Sequence, residues 1–233
     1  MKRIFLLSIS ALFLSAKAEQ GFSIGLKFSP SMSFSRVSPS NFVDANGTSY
    51  VYSGDGIKGR FGVGVIMDYM IGDNYGISTG LNFLLNGSGY QISKTTAGAT
   101  QSEANSYSIQ YVQIPFLLKL QTSEVVDNFS FYAKMGAGLD YMVGARVRGE
   151  KKVQLLGSQE VIETTEYINN FHSSLIFSLG TEYKWKGDMI LLLGVTYSRG
   201  ITDVDNQNKN IESKKSNFDM SNDFISLDLG VKF

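Results

Sequence analysis

The chain contains no cysteine, a single histidine, one tryptophan and only three prolines among 233 residues. Without cysteine there is no disulfide framework, no thiolate metal site and no thiol nucleophile. One histidine leaves carboxylates as the only plentiful metal ligands. An excess of charge is missing as well, because 21 Lys and Arg balance 21 Asp and Glu. A general nucleic-acid binder needs a basic surplus to displace counterions from phosphates, so no nucleic-acid partner is expected. What is plentiful is glycine, with 24 residues, and aromatic side chains, at 12%. Few prolines with many glycines and aromatics point to a mostly extended chain, of a length that suits one domain or two small ones.

The first residues carry an address. Lys2 and Arg3 precede an apolar run from Ile4 to Leu14, and Ala16-Lys17-Ala18 is a small-x-small site before Glu19. This is the pattern of a secretory signal peptide cleaved after Ala18, giving a division into signal 1–18 and mature barrel 19–233. A spanning helix wants about 20 apolar residues, and Lys17 interrupts the run too early. Cleavage removes Lys2, Arg3 and Lys17, so 18 cationic residues face 21 anionic ones in the mature chain, a net of −3.

After that the chain alternates in twos. In Phe129–Val147, the set Phe129, Phe131, Ala133, Met135, Ala137, Leu139, Tyr141, Val143, Ala145, Val147 is interleaved with Ser130, Tyr132, Lys134, Gly136, Gly138, Asp140, Met142, Gly144, Arg146. Successive strand side chains point to opposite faces, so this reads as a long strand with one apolar side. The same phasing recurs from Phe22, Phe61, Ile77, Ile114, Leu175, Met189 and Ile225, which makes eight strands. Short links at 72–75, 121–128 and 186–188 alternate with long polar segments at 36–58, 87–106, 149–170 and 202–222. An all-β, eight-stranded antiparallel up-and-down transmembrane β-barrel has that rhythm, with short periplasmic turns and long extracellular loops.

The rival is a soluble eight-stranded barrel with its apolar face inward. Bulk decides between them. Phe, Leu, Tyr, Met and Trp on the uniform face are too large for so small a lumen, whereas the glycine-rich face suits a narrow filled interior. Tyr69, Tyr75, Tyr111, Tyr141, Phe171, Tyr183, Trp185, Tyr197 and Phe233 sit at strand ends, where aromatic girdles lie. The tyrosines at 107 and 111, with Ile109, have the opposite phase to Ile114–Leu120, and a bulge near Val112 would reconcile them. Pro115 removes a ladder donor in mid-strand, so a bulge or bend is expected there too.

The stretch YVQIPFLLKL, Tyr111 to Leu120, resembles the fourth-strand motif of PorT-like outer-membrane barrels of the Bacteroidetes group. GTEYKW from Gly180, YSRGITDV from Tyr197 and the terminal SLDLGVKF are similar to that family's sixth, seventh and last strands. The matching positions are Tyr111, Gln113, Ile114, Pro115, Lys119, Gly180, Glu182, Tyr183, Tyr197 and Gly200, with Gln113 standing where the resemblance leads one to expect glutamate. Phe233 resembles the terminal aromatic assembly signal of such barrels. The resemblance implies a link to protein secretion through the type IX pathway.

Candidate sites follow from the interior face. Lys27, Asp68, Lys119, Lys134, Glu182, Lys184, Asp228 and Lys232 share the lumen phase, and buried charges must pair, so an ionic plug is expected in preference to an ion path. His172 with Ser174 is similar to the H-x-S pair of lipid A deacylase barrels. Glu182, ten residues from His172, is about 30 Å away along a strand and cannot orient the imidazole. Gly62-x-Gly64 and Gly136-x-Gly138 lack the third glycine and helix of a phosphate loop. Asp203, Asp205 and Asn206 could hold calcium only weakly. Tyr50, Tyr52, Val153, Leu155, Leu156, Val161, Ile162 and Tyr167 could form strand extensions or a contact surface in the loops.

The expectation is a monomeric outer-membrane barrel without catalysis, cofactor or metal, acting as a structural or binding component tied to secretion. The alternatives are a surface adhesin or ligand-binding barrel acting through its loops and, last, a lipid A-modifying hydrolase using His172. Outer-membrane lipid, the barrel assembly machinery and secretion-system proteins are the partners anticipated.

Overall fold

The computed structural model of the chain describes residues 21–38, 41–43, 47–87, 89–96, 98–147, 149–153, 162–163, 165, 168–204 and 219–233. The signal segment 1–18 lies outside these, as do Leu155, Leu156, Val161, Tyr167, Asp205 and Asn206.

Among the described residues the strands are β1 (Phe22–Ser38), β2 (Asn41–Val43), β3 (Ser49–Gly54), β4 (Ile57–Met70), β5 (Tyr75–Asn86), β6 (Gly89–Thr96) and β7 (Ala99–Gln121). They continue with β8 (Phe129–Val147), β9 (Lys152–Val153), β10 (Ile162–Glu163), β11 (Phe171–Lys184), β12 (Ile190–Gly200) and β13 (Asp219–Lys232). Eight of them pair in the order β7-β5-β4-β1-β13-β12-β11-β8, every pair antiparallel, and β8 returns to β7. The result is a closed eight-stranded barrel. Closure gives each of the eight strands a partner on both sides and leaves no sheet edge in the hydrocarbon.

The period-two pattern fixes which face is which. Leu26, Phe28, Val63, Leu81, Phe116, Leu118, Phe131, Met135, Leu139, Phe177, Leu179, Leu193, Val195, Leu227 and Leu229 all project outward and are exposed. A continuous apolar band of this kind around a barrel is a lipid-facing surface. Tyr69, Tyr75, Tyr141, Phe171, Trp185 and Phe233 are exposed at the strand ends. β1 meets the last residue at the turn-side rim, where Phe233 N–H donates to Ile24 O at 2.8 Å and Ile24 N–H to Phe233 O at 3.1 Å.

Several sequence expectations are corrected by the packing. No phase break occurs along β7. Tyr107, Ile109 and Tyr111 are buried in the lumen together with Gln113, Leu117 and Lys119, so Tyr111 is not a girdle residue. The irregularity lies on β8 instead. Gln110 pairs with Gly144 and Tyr111 with Met142, which leaves Val143 as the extra residue of a bulge. Beyond it the phase of β8 inverts, so Ala145 is buried inside and Arg146 is exposed outside, the reverse of the simple alternation.

Pro115 produces neither bulge nor bend. The β5–β7 register is the same on both sides of it, from Thr79↔Phe116 to Asn82↔Gln113, with the two intervening pairs absent. The missing donor costs a local gap, and Thr79 Oγ1 donates to the Pro115 carbonyl at 2.8 Å. Pro30 opens the same kind of gap between Phe28↔Leu229 and Ser31↔Ser226 on β1–β13.

The polar segments expected as loops hold strands as well. β3 pairs with β6, and β6 with residues 99–106 of β7, so β2-β3-β6-β7 forms a sheet rising beyond the barrel. β9 and β10 form a separate two-stranded pair.

Candidate functional site

The lumen is filled in three tiers. The lowest, next to the short turns, is ionic. Asp68, from β4, accepts from Lys119 Nζ at 2.9 Å, Lys232 Nζ at 2.8 Å, Lys134 Nζ at 3.0 Å and Ser78 Oγ at 2.5 Å. Glu182, from β11, accepts from Lys119 Nζ and Lys232 Nζ at 2.7 Å each, and from Gln121 Nε2 at 3.2 Å. Five strands thus deliver five charges to one point. Two lysines bridge both carboxylates, and the third is held by Asp68 and Ser78. Asp68 is 0% and Lys119 and Lys232 are 1% exposed, so each would be prohibitively costly to bury unpaired.

Three ammoniums against two carboxylates leave one positive charge in excess, and Tyr132 lies beside it. Lys134 Nζ is 5.2 Å and Lys119 Nζ 5.9 Å from the centre of its ring, within cation–π range. The ring needs two glycines. A Cβ at Gly180 on β11, or at its cross-strand partner Gly194 on β12, would overlap the Tyr132 hydroxyl.

The middle tier is a cavity of about 50 Å³ lined by Ser29, Asn82, Gln113, Ser178, Thr196 and Asp228, among others. At roughly 10–15 Å³ per water, that space suits a few solvent molecules and no organic ligand. Asp228 accepts from Thr196 Oγ1 at 2.6 Å and Ser226 Oγ at 3.1 Å, and lies 3.7 Å from Lys27 Nζ. Gln113 accepts from Asn82 Nδ2 at 3.0 Å and stands opposite Asp140 in the β7–β8 ladder.

The upper tier is an apolar lid. Tyr52, Tyr90, Tyr107, Ile109, Tyr111, Met142, Ile168, Val204, Met220 and Phe224 form one buried cluster across the mouth. Tyr90 and Tyr107 stack with centroids 5.7 Å apart, and their hydroxyls lie 3.3 Å from each other. Tyr52 comes from β3 and Tyr90 from β6, so the outer sheet itself supplies part of the lid.

Of the eight charges expected in the lumen, seven are there. Lys184 is not: it ends β11 at the turn-side rim, where its exposed ammonium lies 2.6 Å from Glu124 Oε1. That bond and the lysine's charge hold the Glu124 carboxyl below the usual glutamate range. Two carboxylates escaped the sequence reading. Asp140 accepts from Ser174 Oγ at 3.2 Å under the lid, and Asp223 is covered on the outer wall by Arg36 and Tyr197. Asp140 lies in the lumen phase of β8, and that signal was available. Asp223 sits in the lipid-facing phase, where nothing in the pattern marks a buried acid.

His172 is buried beneath Tyr111, whose ring meets it edge-on at 5.2 Å. Its Nε2 lies 2.6 Å from the Asn169 carbonyl and its Nδ1 3.5 Å from Thr202 Oγ1, while the Ser174 hydroxyl is directed to Asp140. The histidine is therefore not placed as a base on that serine. Among the described residues no group of three or more His, Asp or Glu is gathered for a metal. Asp203 instead accepts from Met220 N–H of β13 at 2.9 Å on Oδ1.

The remaining motif residues divide between the walls. Ile114 is exposed outward, and Tyr183 packs between Phe129 and Trp185 at the turn-side rim. Tyr197 OH donates to Asp223 Oδ2 at 3.3 Å and Gly200 N–H to Asp223 Oδ1 at 3.0 Å, both on the outer wall.

Several solved structures are similar to the chain at low identity. Neisserial surface protein A shares 13% identity at a TM-score of 0.44, over 91% of this chain and 96% of its own. Ail, the attachment invasion locus protein of Yersinia pestis, solved with the heparin analogue sucrose octasulfate, shares 13% at 0.42, over 91% and 99%. The outer membrane protein AlkL, solved in DMPC bilayers, shares 12% at 0.38, over 94% and 92%. No curated protein matches the sequence. The model of the outer membrane protein beta-barrel domain matches residues 15–206, most of the barrel's strands, and the chain belongs to that family of outer-membrane β-barrels.

Proposed function

We propose that the protein is a non-catalytic outer-membrane barrel that works through its extracellular sheet, as a PorT-like structural or binding component tied to type IX protein export. The observation that carries this reading is the filled lumen. An ion cluster, a cavity of only about 50 Å³ and an aromatic lid block the axis in turn, so the work falls to the surface beyond the membrane. The YVQIPFLLKL, GTEYKW and YSRGITDV segments support the PorT-like assignment. Residues 1–18 serve as the export signal, cut after Ala18, and Phe233 is read by the assembly machinery. The folded barrel is a monomer.

Adhesion to a surface ligand is the second reading, and the outer sheet favours it. Ser93 and Ser102 pair hydroxyls at 2.9 Å, Thr95 and Thr100 at 3.0 Å, all exposed, and Lys94 lies over the Tyr50 ring at 5.7 Å. The hydroxyl pairs share one face of the sheet, which suits hydrogen-bonded ligands, and the Lys94–Tyr50 contact lies on the other.

One experiment tests both. Residues 41–54 and 89–104 are replaced by short Gly-Ser links, and export of type IX cargo and attachment of whole cells to host-matrix surfaces are measured. Lost export supports the secretion role; unchanged export with lost attachment transfers the function to adhesion. If neither changes, the sheet is not the working part.

A further inference from the structure

On β12, β13 and β1, adjacent strands, the outward face carries Arg199 and Asp223 in register, with Arg36 opposite Ser221, two residues further toward the loop side. Arg199 is exposed and directly opposite Asp223 in register. Arg36 reaches sideways across β13. Its Nη1 donates to Asp223 Oδ2 at 3.0 Å and its Nη2 to the Gly200 carbonyl of β12 at 3.1 Å. Asp223 is fixed from the other side by Tyr197 OH and Gly200 N–H. The acid is 2% exposed, buried under its partners, whereas the Arg36 side chain is 41% exposed.

A guanidinium has five N–H donors. Two groups of Arg36, Nη1 and Nη2, are engaged with Asp223 and Gly200. With Arg199 the face presents two guanidiniums, with Asp223 buried between them and Asp219 exposed on the other diagonal from Arg36.

Its height is telling. On β13 the outward residues Phe233, Leu229, Leu227 and Ile225 are apolar, and Asp223 follows. Ten residues separate Phe233 from Asp223, roughly 33 Å of strand at about 3.3 Å per residue. At a tilt of about 40° that is about 25 Å along the membrane normal, the height of a lipid-facing band. The arginine row therefore stands where hydrocarbon gives way to headgroups on the loop side, the outer leaflet.

We propose that Arg36 and Arg199 form a binding site on the outer wall for a phosphate of the phosphorylated glycolipid in the outer leaflet. Asp223 and Gly200 are its positioning groups, holding Arg36 pre-aimed so that little side-chain entropy is lost on binding. Guanidinium is the group suited to this, because its planar fork meets two phosphate oxygens at once.

The test uses the full mature chain folded in detergent micelles, with folding of every variant verified by its heat-dependent gel shift. Retention of bisphosphorylated lipid A, of enzymatically dephosphorylated lipid A and of inorganic phosphate is measured by native mass spectrometry and by competition. The bisphosphorylated lipid is expected to be retained and the dephosphorylated one lost. R199Q leaves the Arg36–Asp223 bond intact and weakens retention, and R36Q/R199Q weakens it at least about tenfold. R146Q, on the far wall, behaves as the unaltered chain. Equal retention of the dephosphorylated lipid, full retention by the double variant, or displacement by equimolar inorganic phosphate each overturns the proposal.

Discussion

Tyr132 lies across Gly194 with no room for a side chain between them: a Cβ built on that glycine would overlap the phenolic oxygen. The two residues come from β8 and β12, with β11 between, so the contact spans the inside of the curved wall. It keeps the tyrosine ring beside Lys119 and Lys134. Gly194→Ala is expected to destabilise the barrel by about 1–3 kcal/mol through overpacking. Urea unfolding in micelles reads this, and Gly194→Ala in a Tyr132→Phe background, which removes the clashing oxygen, recovers part of the loss.

Asp68 is the sole described acid that contacts all three lysines of the lower tier. Asp68→Asn keeps the shape but leaves three buried ammoniums facing Glu182 alone. Breaking a buried ion cluster from one side costs about 3–5 kcal/mol. The midpoint of urea unfolding is expected to fall accordingly, and a midpoint within error of the unaltered chain would mean the cluster adds nothing to stability.

Glu124, on the turn 122–128, and Lys184, at the end of β11, make the contrasting, exposed pair. Because the folded-state pKa of Glu124 is depressed, its contribution is present above the unfolded-state value and is lost as pH falls through the folded one. The exposed position keeps it small and salt-sensitive. NMR titration of labelled protein is expected to show Glu124 titrating below a model peptide. Lys184→Met returns it toward the peptide value, and high salt acts in the same direction.

The filled axis predicts electrical silence. Incorporated into planar bilayers, the protein is expected to give no steady conductance, and Tyr107→Ala is expected to leave it silent because the ionic tier below remains closed. A stable open level in the unaltered protein would show that the three tiers do not seal.

Val143 is the extra residue at the upper end of β8. Deleting it alone removes the bulge and keeps Ala145 in the lid and Arg146 outside, whereas deleting Val143 and Gly144 together turns Ala145 out of the lid and Arg146 toward Tyr107 and Ile109. An unpaired guanidinium in that cluster is expensive, so the double deletion, unlike the single one, is expected to lower the folded fraction on heat-shift gels. Arg146→Met combined with the double deletion recovers it.

Strand number, the lipid-facing set and the long–short loop rhythm were legible in the chain, because each is a period or a spacing. Seven of eight lumen charges were legible for the same reason: parity assigns a face. Parity has no access to where a strand ends, and Lys184, one turn too far down β11, leaves the lumen at the rim. It fails also where the partner strand carries the bulge, because the extra residue on β8 leaves β7 in unbroken phase and Tyr111 inside. Pro115 was misjudged because a hydroxyl on the neighbouring strand, Thr79, offsets the gap without a bend.

Alternation together with the bulk of the uniform face, then, determined a membrane barrel with a polar interior, since both the period and the size of each side chain are local properties of the chain. Which charges meet, that Tyr132 needs two glycines on other strands, and that Arg36 crosses β13 to Asp223 and Gly200 were decided only by closure and shear. These bring residues more than a hundred positions apart to one level, and no period in the chain records that alignment.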